Sequence, residues 1–111
     1  MGLFSWMSRS KHASSPQGGG RDAKAETIAH LKEFVASHTG CEAFVEPPTR
    51  VTQTTMVIVA DTGEWTRRRV PDEAAARKLA QQFSIPAFDV NLSGYPSRMR
   101  EWNEKQRKNP S

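Results

Sequence analysis

Apolar residues recur at helical spacing through Ala25, Ile28, Leu31, Phe34 and Val35, which predicts an amphipathic helix over about residues 22–38. Asp22 fits its N-cap and Gly40 its stop, with His38 in the last turn. The period then shortens to two. Cys41, Ala43 and Val45 share one side of a strand over residues 41–46, which Pro47-Pro48 closes. Val51 to Ala60 is rich in β-branched residues, and its end, Met56-Val57-Ile58-Val59, is apolar on both sides, as a central strand requires. Asp61-Thr62-Gly63 makes a hairpin turn into a third strand, Glu64 to Val70.

Pro71-Asp72-Glu73 opens a second helix with its acidic residues where the helix dipole favours them. Ala75, Ala76, Leu79, Ala80 and Phe83 form its apolar stripe, and Pro86 ends it. Phe88, Val90 and Leu92 alternate with Asp89 and Asn91, which predicts a fourth strand. Gly94-Tyr95-Pro96 breaks that run, and Ser97 opens a last helix reaching about Lys108, with Met99 and Trp102 spaced to dock it on the core. The predicted fold is α+β in the order α-β-β-β-α-β-α. It is a four-stranded, mostly antiparallel sheet with two helices on one face and a C-terminal helix. Helix two is long enough for a crossover, so the fourth strand can lie parallel to a neighbour. The other sheet face is expected to stay partly open.

Before this pattern begins, Ser14-Ser15-Pro16-Gln17 and Gly18-Gly19-Gly20 have linker composition. The expected organisation is a flexible leader over residues 1–20, one domain over 21–108 and a disordered tail over 109–111. The chain has 111 residues, 36% hydrophobic and 25% charged, which fits one domain with a modest core. Its net charge is +4, and the positive charge sits in the leader, in the central segment holding Arg67 to Arg69, and at the C-terminus. That is milder than a dedicated nucleic-acid-binding domain, where basic residues dominate one face.

The single cysteine, Cys41, precludes an internal disulfide and argues against a secreted scaffold. No stretch approaches the ~20 apolar residues that span a bilayer, so no transmembrane segment is expected. The start, Leu3-Phe4-Ser5-Trp6-Met7, is too short for a signal peptide, and the expected compartment is the cytoplasm. With Arg9 and Lys11 after it, this start is compatible with weak contact at an anionic membrane surface.

The most unusual segment is Trp65-Thr66-Arg67-Arg68-Arg69-Val70. On a strand, Trp65, Arg67 and Arg69 share one face. Two guanidinium groups do not belong in a core, so that face is expected to look outward. An aromatic beside arginines can hold an acidic partner peptide, or stack a base and neutralise phosphates. The plainer reading has Trp65 packed over a neighbouring strand beneath the arginine stems. Arg98, Arg100 and Trp102 of the last helix extend the candidate binding surface, with Lys105, Arg107 and Lys108 adding charge.

Catalytic patterns are weak by comparison. The glycine run follows no strand, and there is no Cys-x-x-Cys and no metal-ligand cluster, so no cofactor and no metal are expected. His38 and Cys41 are close in sequence, but Cys41 opens an apolar strand face, the setting of a structural cysteine rather than a nucleophile. His30 is read as a surface histidine.

The first five elements resemble the double-stranded-RNA-binding domain in order. Where that family places a Lys-Lys-x-Ala-Lys cluster, this chain has Asp72-Glu73-Ala74-Ala75-Ala76, which repels phosphates. Six elements resemble the core of restriction-endonuclease-like nucleases. Here Asp61 and Glu64 fall in the turn, Thr66 stands at the lysine position, and no lysine occurs between Lys32 and Lys78. Finally, Val45-Glu46-Pro47-Pro48-Thr49, Gly63-Glu64-Trp65-Thr66-Arg67-Arg68, Ile85-Pro86-Ala87-Phe88-Asp89-Val90-Asn91 and Gly94-Tyr95-Pro96-Ser97-Arg98-Met99-Arg100 resemble a group of small uncharacterised actinobacterial proteins. That group often carries a generic oxidoreductase label, which implies redox activity but attaches to no catalytic residue.

The sequence therefore favours a small non-catalytic binding or adaptor domain that meets a partner protein through Trp65, Arg67, Arg69, Arg98, Arg100 and Trp102. A nucleic-acid or ribosome-associated protein is the second reading, and a small oxidoreductase the third.

Overall fold

The computed structural model describes residues 19–108. The expected leader, except Gly19 and Gly20, and the expected tail over 109–111 lie outside the described residues. The elements are α1 (Gly19–Ser37), β1 (Glu42–Glu46), β2 (Thr55–Val59), β3 (Trp65–Arg69), α2 (Glu73–Gln82), β4 (Ala87–Asp89), α3 (Val90–Ser93) and α4 (Ser97–Lys108). The α+β class and the predicted order hold, with one short helix added.

The four strands form one sheet in the order β3-β2-β1-β4. β1–β2 and β2–β3 are antiparallel, and β4 lies parallel to β1 after the α2 crossover. β2 thus has a neighbour on each side, and it is also covered above and below. On the first face, Ala43, Val45, Met56 and Ile58 pack beneath Leu31 and Phe34 of α1 and Ala76, Leu79 and Ala80 of α2. On the second face, Phe44, Val57 and Val59 meet Met99 of α4, with Trp65 at the rim. This double cover is why Met56-Val57-Ile58-Val59 shows no alternation: all four are fully buried.

Two helix ends are fixed by local chemistry. The Asp72 side chain accepts a hydrogen bond from the Ala75 amide at 2.8 Å and caps α2. At the other end, the Ser84 amide donates to Gln81 O and the Ile85 amide to Ala80 O. That bonding is a Schellman motif, and it holds Ser84 at φ 61°, a left-handed position usually given to glycine.

Three expectations need correction. Helix one begins at Gly19, ahead of the expected Asp22. Glycine costs roughly 1 kcal/mol against alanine in a helix, so the residues that follow must carry this extension. The fourth strand stops at Asp89, because the Asp89 carboxylate accepts from the Asn91 amide and caps α3. Leu92, expected on that strand, is 88% exposed. Finally, the second sheet face is not left open at its Trp65 end, because α4 lies across it. Among the described residues, no helix is long and apolar enough to cross a membrane.

Candidate functional site

The β2–β3 register places Trp65 opposite Val59, Arg67 opposite Val57 and Arg69 opposite Thr55. The β1–β2 register continues these rows to Glu42, Phe44 and Glu46. The second face therefore grades from an apolar end under α4 to a polar end at Arg69, Thr55 and Glu46.

Trp65 is half-buried at the boundary. Its indole N–H donates to Asn103 of α4 at 2.9 Å, and the Arg67 guanidinium lies 5.2 Å from its ring centroid. Arg67 also donates to both carboxylate oxygens of Glu46, Nε at 3.1 Å and Nη2 at 3.0 Å, a forked pair. The Tyr95 hydroxyl donates to the same carboxylate. Glu46 thus ties an edge strand to the turn before α4.

Arg68 points to the first face with Thr66, and its Nη1 donates to the Arg67 carbonyl at 2.7 Å. Among the described residues, neither Arg68 nor Arg69 forms an ion pair with a carboxylate. Beside them lies an open cleft of about 540 Å³, lined by Val51, Thr52, Gln53, Thr55, Arg67, Arg68 and Arg69.

The remaining sequence-derived site residues divide. Arg98 is half-buried and donates to Glu42 at 2.7 Å, to Ala60 O at 2.8 Å and to Val59 O at 3.3 Å. It is a latch that holds α4 to the sheet. Trp102 is half-buried beside Gly63 in the hairpin turn. Arg100 is exposed on α4. Arg67 and Arg69 thus share the cleft, whereas Arg98 and Trp102 anchor the helix.

Sequence reasoning did not single out Glu46, and it placed Val51–Gln53 on the second strand, which begins only at Thr55. It had no local signal to separate Glu46 from Glu42 at the other end of β1. It also placed His30 on the surface, whereas His30 is partly buried and its Nε2 hydrogen-bonds the Thr66 hydroxyl at 2.6 Å. Burial, and then the Arg68 charge, lower the His30 pKa. Cys41 is buried, and burial followed by the Asp61 charge raises its thiol pKa, opposite to what a nucleophile needs. Among the described residues, no group of three His, Cys, Asp or Glu side chains is placed to hold a metal ion.

No protein-family model matches the chain, no curated protein matches it, and no solved structure matches it.

Proposed function

We propose that this chain is a small binding domain that meets a partner protein at the arginine-bearing end of β3. The observation that carries the reading is the cleft at Arg67, Arg68 and Arg69, where two guanidinium groups have no carboxylate partner among the described residues. Unpaired arginine at the mouth of a cleft is available for carboxylates, and arginine is enriched where binding energy concentrates. Trp65 supports the site through Arg67: the guanidinium lies over its ring, and its N–H is already bonded to Asn103. A base would have to displace those contacts to stack there, which favours a protein partner over a nucleic acid.

Affinity capture with the full chain, with and without nuclease and at low and high salt, tests the reading. Partners that survive nuclease and are lost in an Arg68→Gln/Arg69→Gln variant support it. Loss of all partners on nuclease treatment, with a steep salt dependence, would transfer the site to nucleic acid. Partners unchanged in the double variant would remove this surface from the function.

A further inference from the structure

β3 is an outer strand of the sheet, and its hydrogen-bond phase fixes which backbone groups face outward. The Ala60 amide donates to Glu64 O at one end of the β2–β3 ladder, and the Val70 amide donates to Thr54 O at the other. Antiparallel pairing alternates, so Thr66 and Arg68 complete the bonded set with Ile58 and Met56. The amides and carbonyls of Trp65, Arg67 and Arg69 therefore point away from β2. Arg67 O is covered by the Arg68 guanidinium, a contact a partner's amide can replace while freeing that guanidinium for a carboxylate.

An outer strand this regular is a template for another chain, and charge decides which. Two copies of β3 laid edge to edge would oppose three arginines with three more. An acidic strand meets the reverse situation, with Arg67 and Arg69 on one face, Arg68 on the other and the cleft at their end. We infer that β3 accepts an extended, acidic segment of a partner protein, which adds to the sheet as a fifth strand. This rests on the reading that the partner at the arginine end is a protein, and it supplies that partner's chemistry. Backbone pairing contributes the affinity, and the alternating carboxylates set direction and register.

The probe is a short capped peptide alternating glutamate and valine, added to the full-length protein and followed by amide hydrogen exchange. The expected result is saturable binding that weakens with salt and slows exchange at Trp65, Arg67 and Arg69. The Thr66 and Arg68 amides, already bonded to β2, change little. A peptide with lysine in place of glutamate should not bind. Arg69→Pro removes an outward N–H and leaves the β2 ladder intact, because proline is tolerated on an outer strand at such a position. It should weaken binding about fivefold more than Arg69→Gln, which removes charge alone.

Binding without protection at Trp65, Arg67 and Arg69 overturns strand addition, as does equal affinity of Arg69→Pro and Arg69→Gln or of the lysine peptide. No saturable binding overturns it as well. The broader reading fails separately, if Arg68→Gln/Arg69→Gln leaves captured partners unchanged or if nuclease removes all of them. The exchange measurement on the unaltered chain decides the matter even if Arg69→Pro does not fold.

Discussion

The backbone of Gly63 lies against the carbonyl of Arg98 so closely that a Cβ at position 63 would collide with it. Gly63 also sits at φ 95°, a conformation that side chains rarely adopt. This one approach seats the first turn of α4 on the β2–β3 hairpin.

Gly63→Ala is therefore expected to lift α4 as well as strain the turn. A loss of at least about 2 kcal/mol is expected in urea unfolding. The indole N–H resonance of Trp65 should shift as its bond to Asn103 loosens. A variant with native stability and an unmoved resonance would show that the hairpin does not seat the helix.

Two histidines give the stability opposite pH slopes. His38 has Nδ1 2.8 Å from Phe34 O and Nε2 2.9 Å from a Glu64 carboxylate oxygen, so only the imidazolium donates to both. The Glu64 hydrogen bond is the main cause that raises its pKa, against the opposing effect of burial. A raised folded value means the contribution is full below the ordinary pKa of about 6.5 and is lost as pH rises through the folded value. His30 is lowered, so its contribution is present above about 6.5 and is lost as pH falls through its folded value. Unfolding midpoints measured across pH should lose their alkaline decline in His38→Gln and part of their acid decline in His30→Asn. Unchanged slopes would refute the assignments.

Ser84→Gly should stabilise the chain by about 1 kcal/mol. It relieves a left-handed residue without disturbing the bonds that end α2. A melting temperature that fails to rise would mean the Ser84 conformation is strain-free.

Cys41 should resist thiol reagents in the native state and react only as the structure opens. Its residue is 6% exposed and its pKa is raised. Modification at the rate of a free surface thiol would show that the start of β1 is loosely held.

Elements whose cause is local were legible in the sequence. Asp72 before an apolar stripe announces a capped helix, and the unbroken run Met56–Val59 announces a strand covered on both sides. Local patterns misled where a side chain overrode them. Phe88, Val90 and Leu92 alternate like a strand, yet a single Asp89 cap turns the chain into α3. The placement of α4 is a long-range matter, set by Gly63 against Arg98 and by Trp65 against Asn103, and periodicity does not encode it. The candidate site was legible in the same measure. The arginines stood out by composition, but the tie of Glu46 to Arg67 and Tyr95 joins segments remote in sequence.

The helix that covers the Trp65 end of the second sheet face follows all four strands in the chain, so it leaves the ribosome after them. Until Ser97–Lys108 emerges, Phe44, Val57 and Val59 have no Met99 above them, although the strands that carry them are already synthesised. Every newborn chain thus passes through a stage in which one greasy side of its sheet is bare. A premature stop before Ser97 would make that stage permanent, so truncated chains should be caught by chaperones or proteases rather than accumulate as folded remnants.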